Sequence, residues 1–484
     1  MSEASPIALV TGGNRGIGLA IATALESDGC DVVITYRSGS APAGFKSVMM
    51  DVTSKESVEA AFASIEEQWG IPEVIVANAG ITKEKFAEIF PQTEDPDLSI
   101  LVNRAVSGRY NLGSSFKPFI AYAALNTGQL PGGSSYTYVD NGTYTLESIP
   151  KARCQDGVKC VFRNAVCRST GAPCRYGPVA VDDALAVSSD SFFYKIGEQI
   201  LTERGYKPIL EEQVRLFGFG SPTNIDLPYE YAGTIPSKAL KKRMADIGAI
   251  SEESGKAYYV GDQILFSIGQ GLLSATPIQV ASAYGVLGNG GKVLQPHLVK
   301  TVLEPGTPDS APGIANMSQS AVVERFDDRE PVRTLDMSGD RLKPIVDGLA
   351  RVITGPGVNY GTYHKTTGEL LFKGYPYGVL PIAGKTGTAQ GLGNLPWNDS
   401  SAFGAFSLDP NQPYSAFAYL EKAGYGSQAA APVVKCIFMA MSGKYKVDPV
   451  VVADPLNINS SVAAPPTYLR NPTCLSGGRS DNRD

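Results

Sequence analysis

Ser114 and Lys117 stand three residues apart in Gly113-Ser114-Ser115-Phe116-Lys117, a spacing that places both side chains on one face of a helix. There the lysine amine can reach the serine hydroxyl and take its proton, which makes Ser114 an activated nucleophile suited to acyl transfer. Pro118 fixes the helix start. It lacks the N–H that would bond the Ser114 carbonyl, so Ser114 belongs in the first turn, where a helix N-terminus favours developing negative charge. The pattern alone is weak, because Ser148-Ile149-Pro150-Lys151 repeats it and an exposed serine near a lysine satisfies it equally well. Farther along, Ser188-Ser189-Asp190 offers a second hydroxyl and a carboxylate, and Lys385-Thr386-Gly387-Thr388 a second amine with two more hydroxyls. Each has an ordinary alternative. The first reads as a helix cap or kink, and the second is imitated by Lys365-Thr366-Thr367-Gly368.

A different chemistry is suggested at the N-terminus, where Thr11-Gly12-Gly13-Asn14-Arg15-Gly16-Ile17-Gly18 follows the apolar strand Ile7 to Val10 and opens a helix from Leu19 to Leu25. Glycines at such a turn let the backbone approach a pyrophosphate held at the helix N-terminus. Further βα units follow: a strand from Asp31 to Tyr36 ending at Arg37, one from Phe45 to Met50 ending at Asp51-Val52, a helix from Lys55 to Trp69, and a strand from Glu73 to Val76 ending at Asn78-Ala79-Gly80. A glycine-rich turn is more often a plain strand-to-helix connection. Four polar features at successive strand ends argue for a nucleotide cradle.

The 484 residues allow two or three domains, and 43% hydrophobic with 19% charged residues describes an ordinary folded protein. A net charge of -6 with no Lys/Arg stripe argues against nucleic-acid binding. Lys241-Lys242-Arg243 reads as a solvated helix face. No window holds roughly 18 consecutive apolar residues, and the first residues lack a basic start and apolar core, so the chain as written is expected in the cytoplasm. Its two histidines disfavour a His-ligated metal and a Ser-His-Asp triad, leaving lysine as the candidate base, and no metal site is expected. Cys154, Cys160, Cys167 and Cys174 cluster in one loop. Without a Cys-x-x-Cys pair, two local disulfides outweigh a zinc site, although they require an oxidising compartment.

The elements that must hold these groups are read from periodicity and caps. A helix continues from Ser114 through Ala124, and Thr137 to Leu146 alternates like a hairpin turning at Asn141-Gly142. Val181 to Ile200 forms one helical run. A helix from Ile278 to Leu287 starts after Thr276-Pro277 and stops at Asn289-Gly290-Gly291. Ile345 to Val352 and Ala430 to Met441 read as further helices, and Ala402 to Leu408 and Tyr414 to Leu420 as antiparallel strands. A glycine such as Gly387 inside a strand permits close approach by a ligand.

Ser-x-x-Lys, then Ser-x-Asp, then Lys-Thr-Gly-Thr, in that order, form the three-part signature of penicillin-binding serine acyltransferases. Residues 98 to about 450 resemble the transpeptidase domain of class B penicillin-binding proteins, with Gly269-Gln270-Gly271 before Thr276-Pro277 and Ala430-Ala431-Pro432-Val433-Val434 near the end. The resemblance implies that Ser114 attacks a D-Ala-D-Ala stem peptide, with Lys117, neutral through burial and nearby Lys385, as base. Ser188 would relay the proton to the departing D-Ala and Asp190 would position that network. Lys385, Thr386 and Thr388, with Gly387 on the same strand, would bind the terminal carboxylate. The N–H groups of Ser114 and Thr388 would form an oxyanion hole, each donor worth ~3 kcal/mol of barrier. No cofactor is implied. β-Lactams would acylate Ser114, and relatives work in elongation or division complexes at the outer face of the cytoplasmic membrane.

Residues 1 to about 90 resemble the short-chain dehydrogenase/reductase family, most closely its β-ketoacyl-[acyl carrier protein] reductase branch. That resemblance implies an NADP site built from Gly12, Asn14, Arg15, Gly16, Ile17, Gly18, Arg37, Asp51, Val52 and Asn78, with Arg15 and Arg37 on the 2′-phosphate, Asp51 and Val52 beside the adenine and Asn78 near the nicotinamide ribose. The family's catalytic Tyr-x-x-x-Lys occurs nowhere in the chain, so reductase chemistry is not expected and nucleotide binding would be weak. Two departures qualify the downstream resemblance: Ser-x-Asp replaces the commoner Ser-x-Asn, and the strands that the family places before the nucleophile helix are replaced by the reductase-like fragment. The expected fold class is an α/β half-Rossmann fragment plus an α+β penicillin-binding-protein/β-lactamase-like domain, an antiparallel sheet with helices on both faces that lacks its first strands. The expected divisions are 1–90 for the fragment, 91–97 for a junction, 98–453 for the transpeptidase domain and 454–484 for a tail. An inactive chimeric fusion that only binds nucleotide or β-lactam is the competing expectation.

Overall fold

The computed structural model describes residues 5–52, 54–76, 102–155, 159–167, 170–303, 322–326, 330–355, 372, 375–391 and 399–442. The expected junction at 91–97, the tail from 454, the imitating tetrapeptide at 365–368 and Asn78 lie outside them. The chain divides into two compact units between residues 101 and 102.

In the first unit, strands β1 (Ile7–Val10), β2 (Asp31–Tyr36), β3 (Lys46–Met49) and β4 (Val74–Val76) make a parallel sheet in the order β3-β2-β1-β4. Helices α1 (Gly16–Ser27) and α2 (Lys55–Gln68) connect them. The central strands are apolar at consecutive positions because both their faces are covered. Ala8, Val10 and Ile34 pack with Ala22 of α1, whereas Leu9 and Val33 pack with Ile65 of α2. Ser54 starts α2 by accepting from Ser57 N at 3.1 Å, the side-chain cap that its position before the helical run predicts.

The second unit is built around a helix buried on all sides. A 3₁₀ turn, Gly113–Phe116, carries Ser114 and leads directly into α3 (Lys117–Asn126). Ser114 therefore sits in a tighter turn than the α-helical one expected. Every residue of α3 from Lys117 to Ala124 is buried, as its nearly uninterrupted apolar sequence requires. Phe119 packs edge-on against Phe217, Phe219 and Tyr284, with ring centroids 4.9–5.5 Å apart.

Strand β5 (Tyr138–Asp140) pairs with β6 (Gly177–Val179), while Thr143–Thr145 pairs with Val161–Arg163. The hairpin expected over residues 137–146 is thus replaced by two strands with different partners. Its would-be turn is occupied otherwise: Asp140 accepts from Gly142 N at 2.7 Å, and Gly142 O accepts from Asn164 N. Cys154 is bonded to Cys160 and Cys167 to Cys174, so no thiolates remain there for a zinc site. The helix expected from Val181 to Ile200 is two helices, α4 (Val181–Ala186) and α5 (Asp190–Thr202), broken where Ser188 adopts φ +59°.

Helices α6 (Pro277–Gly288) and α7 (Lys343–Thr354) precede a three-stranded antiparallel sheet of β7 (Ile382–Ala389), β8 (Ser400–Ser407) and β9 (Ser415–Leu420), and α8 (Ala430–Met441) follows it. Thr276 caps α6 in a reciprocal box with Gln279. Alternation along the strands sends Phe406 and Ser415 toward α6, where Ser415 Oγ donates to Ala281 O, and Phe403 and Ala405 toward α8. Helices therefore cover both faces, as expected. Among the described residues β9 is an outer strand, and all six of its residues are only half-buried.

Candidate active site

The nucleophile turn is pressed backbone against backbone onto two other segments. Gly113 N and Leu112 N both donate to Gly269 O, at 2.9 and 3.1 Å. A Cβ on Gly269 would lie 2.2 Å from Gly113 O, and one on Gly113 would lie 2.3 Å from Thr388 O and 2.9 Å from Thr388 N. A Cβ on Gly387 would meet Leu112 O at 2.4 Å. The expected close approach at Gly387 is therefore made by the chain's own nucleophile turn, and only glycine leaves room for it. Gln270 Nε2 donates to Thr388 O at 2.9 Å, and the buried hydroxyl of Tyr284 donates to Ser115 O at 2.7 Å. Gly404 leaves space for the Tyr284 ring, whose carbon atoms come within 2.5 Å of where its Cβ would be.

Thr388 faces the site through its backbone. In an antiparallel ladder a residue's N–H and C=O point to the same side. Its carbonyl turns to Gln270 rather than to β8, so its N–H lies on that same outer edge of β7, beside Gly113.

Lys117 is fully buried. Its Nζ donates to Asp190 Oδ1 at 2.6 Å, to Ser188 O at 2.7 Å and to Ser188 Oγ at 3.2 Å, and lies 5.5 Å from the Phe193 ring centroid. Ser114 and Ser188 are partly exposed, as a group that must meet substrate has to be. Lys385 on β7 is buried, and its Nζ donates to Thr386 O and Thr386 Oγ1 at 3.2 and 3.3 Å. Thr388 Oγ1 accepts from Gly426 N at 3.4 Å. The structure thus gathers Lys117, Ser188 and Asp190 into one hydrogen-bonded group one turn below Ser114, and sets β7 against the turn that carries Ser114. Tyr284 escaped the sequence reading because it sits in an apolar helix with no polar neighbour to mark it. Gly113, placed directly before the serine, was the legible sign of a crowded turn.

In the first unit, Gly12 (φ +64°) and Gly16 (φ +57°) flank the turn after β1. A Cβ on Gly13 would clash with the Ile34 side chain at 2.6 Å. Arg15 precedes α1 and makes no side-chain cap bond, Ile17 and Gly18 lie in the first turn of that helix, and Asn14 Nδ2 donates to Ser38 O. Arg37 follows β2, and Asp51 and Val52 follow β3, Asp51 N donating to Ser57 Oγ. A helix start without a side-chain cap, a glycine turn with positive φ at Gly12 and Gly16, and arginines placed after β1 and after β2 suit a phosphate group. At the expected nicotinamide end, Asn78 is not among the described residues.

Comparison with known proteins gives two family matches. The family model described as the penicillin binding protein transpeptidase domain matches residues 79–439, and that for short chain dehydrogenase matches residues 6–116. Among curated relatives, the peptidoglycan D,D-transpeptidase MrdA of Salmonella typhimurium is 30% identical over 343 residues, covering 70% of this chain and 42% of its own length. Its Escherichia coli K12 counterpart is 29% identical, with 71% and 42% covered. The 3-oxoacyl-[acyl-carrier-protein] reductase MabA of Mycobacterium bovis is 42% identical over 104 residues, covering 22% of this chain and 41% of its own length. The chain thus spans about two fifths of the length of the curated relatives it matches. The crystal structure of Pseudomonas aeruginosa PBP2 shares its fold with a TM-score of 0.55 at 24% identity, over 82% of this chain and 78% of that one. Helicobacter pylori PBP2 does so with a TM-score of 0.51 at 21% identity, over 84% and 65%.

Proposed function

Because this chain belongs to the penicillin-binding-protein transpeptidase family, we propose that its second unit is a serine acyltransferase that cross-links peptidoglycan stem peptides through an acyl-Ser114 intermediate. The observation that carries the reading is Lys117: a fully buried lysine, on the helix that continues the Ser114 turn, hydrogen-bonded to both Ser188 Oγ and Asp190. Burying a lysine costs several kcal/mol unless it is paired, and its partners here are the other two polar groups the reaction needs.

The chemistry follows from that arrangement. Lys117 is the amine on the helix that continues the Ser114 turn, held by Asp190 and Ser188, and in its neutral form it takes the Ser114 proton. Ser114 Oγ then attacks the carbonyl of the penultimate D-Ala while its proton passes to Lys117. The oxyanion is held by Ser114 N–H and Thr388 N–H. Ser188 hands the proton to the amine of the departing D-Ala as the C–N bond breaks, leaving an acyl-serine ester. Lys385, Thr386 and Thr388 bind the terminal carboxylate along β7, with Gly387 keeping the strand against the nucleophile turn. An amine of a second stem peptide attacks the ester and restores Ser114. No step calls for a cofactor. A β-lactam reacts as the first substrate does, but its leaving group stays attached. Residues 98–453 are the extent we assign to this domain, with 1–90 as the reductase-like fragment.

Partners are assigned by family. Helicobacter pylori PBP2 has been seen in complex with MreC, and a comparable elongation or division complex at the cell envelope is proposed here. No helix among the described residues is long and apolar enough to cross a membrane.

The test is covalent labelling of the whole chain by a fluorescent penicillin. Wild type should form an adduct that survives denaturation, and Ser114→Ala should form none. Folded wild-type protein that stays unlabelled would overturn the proposal.

A second reading rests on β9 and on the first unit: a fusion that binds ligands without turnover. Gly12, Asn14, Arg15, Gly16, Ile17, Gly18 and Arg37 would hold the phosphates of NADP, Asp51 and Val52 its adenine, and Asn78 the ribose. The group would supply hydride chemistry, for which this chain lacks the Tyr/Lys pair. Titration with NADPH followed by fluorescence tests it, and an absence of binding removes this role.

A further inference from the structure

The turn that presents Ser188 is strained and must be held from outside. Ser188 adopts φ +59°, a left-handed conformation that costs a residue with a Cβ about 1–2 kcal/mol. Its carbonyl accepts from Lys117, and Ser189 N donates to Ala184 O at 2.9 Å. Those two bonds fix the backbone around Ser188. They leave undecided how the start of α5, and with it Asp190, is aimed.

That aim is set by two residues outside the signature motifs. Asp140, at the end of β5, is fully buried and accepts the hydroxyl of Ser189, which itself caps α5 by accepting from Phe192 N at 3.1 Å. Asn164 Nδ2 donates to both Asp140 oxygens at 2.8 and 2.9 Å and to Cys174 O at 2.8 Å, while Asn164 Oδ1 accepts from Ser191 N and Ser191 Oγ, both at 2.8 Å. The amide can be placed only this way round: Ser191 N–H needs an oxygen, and Asp140 and Cys174 O need an N–H. The residues on either side of Asp190 are therefore fastened to one buried carboxylate–amide pair. The pair is itself fixed by Gly142 N, which donates to Asp140 at 2.7 Å, and by the Cys167–Cys174 disulfide, which closes the segment after Asn164.

We propose that Asp140 and Asn164 are positioning residues that hold Ser188 and Asp190 at the distance Lys117 requires, and so set the rate of acylation at Ser114 without touching substrate. The inference rests on the acyltransferase reading. In a fully satisfied buried network each member limits the freedom of the others. Loss of Asn164 would free Ser191 N–H and Asp140 together, and the start of α5 would shift or fluctuate relative to Lys117.

The experiment is a time course of fluorescent-penicillin labelling of the whole chain at several drug concentrations, which separates the noncovalent binding constant from the acylation rate constant. Wild type and Ser114→Ala come first. If wild type forms no adduct, the acyltransferase reading itself has failed. Given a labelling wild type, Asn164→Ala should lower the acylation rate constant of the folded protein by about 10- to 100-fold, as expected for a misplaced catalytic group, with the binding constant little changed and the melting transition lowered because Asp140 and Ser191 N–H lose a buried partner. Asp140→Asn should do the same, because its new N–H groups face the Asn164 amide. Ser191→Ala removes one hydroxyl, keeps the backbone bond, and should cost severalfold in the same constant. It decides the matter if the other two variants do not fold. Acylation at the wild-type rate in folded variants, or a loss that only follows the unfolded fraction, would overturn the proposal.

Discussion

Lys117 Nζ lies 2.6 Å from Asp190 Oδ1, with the lysine side chain wholly buried and that of the aspartate 18% exposed. Removing one partner strands the other, at a cost of about 3–5 kcal/mol for a buried pair. Asp190→Leu should therefore lower the unfolding free energy of this unit by that order and abolish penicillin labelling. Asp190→Asn keeps an acceptor oxygen for the lysine, and should retain most of the stability and part of the labelling. Denaturant unfolding beside adduct formation checks both, and equal damage from the two variants would show that an acceptor oxygen cannot stand in for the charge of the carboxylate, contrary to this expectation.

Gly113→Ala should cost more than backbone strain alone. At φ +55° the new methyl group would also lie 2.3 Å from Thr388 O, so strain of about 1–2 kcal/mol is joined by overpacking of about 1–3 kcal/mol. Acylation should fall sharply, because Thr388 and Ser114 would be pushed apart. Gly128→Ala is the control: φ is +66°, but the space around it is open. If the two variants label at the same rate, the close approach of Gly113 to β7 has no functional weight.

Alkaline pH should unfold the second unit through its buried and half-buried tyrosines. Burial pushes Tyr138 and Tyr419 up to about 12, and raises Tyr284 and Tyr194 further. In the unfolded chain tyrosine ionises near pH ~10. A raised folded value means that the native state holds the proton more tightly, so the stabilisation is complete below pH ~10 and is lost as pH rises through the folded values. Melting temperature should fall steeply above pH ~10, with phenolate absorbance appearing together with unfolding. Phenolate absorbance that rises well before unfolding would contradict this burial.

Reduction should loosen the segment that carries Asn164. The Cys154–Cys160 and Cys167–Cys174 bonds close loops with sequence separations of 6 and 7. By the loop-entropy relation each restrains the unfolded chain by roughly 2–3 kcal/mol. Unfolding in a thiol reductant should show a lower midpoint, with the paired serine variants Cys167→Ser/Cys174→Ser reproducing part of the shift. An unchanged midpoint with demonstrably free thiols would mean that the bonds contribute nothing.

Most elements of this fold were legible because their signals are local. Strands β1 and β2, helix α2, the capped helix α6 and helix α8 lie within a residue or two of where apolar period, Ser54, Thr276-Pro277 and the run Ala430 to Met441 put them. The readings that changed concern partners or breaks. Residues 137–146 alternate as a hairpin would, yet alternation cannot say which strand is across the ladder, and here it is 177–179 on one side and 161–163 on the other. Residues 181–200 have a helical period throughout. The break at Ser188 comes from bonds to distant groups that outweigh a local preference for helix.

The sequence by itself determined the reacting groups: the order of Ser114, Lys117, Ser188, Asp190 and Lys385 along the chain, the helix that must carry the first two, and the apolar elements available to bury them. These are properties of residue type and short spacing. Only the tertiary structure decided what each group touches, because those contacts join residues far apart in the chain. Lys117 meets Ser188 across 71 positions, Gln270 meets Thr388 across 118 and Tyr284 meets Ser115 across 169. Three glycines, Gly113, Gly269 and Gly387, let backbone approach backbone at the nucleophile turn, and the space each leaves empty has meaning only once the other segments have filled it.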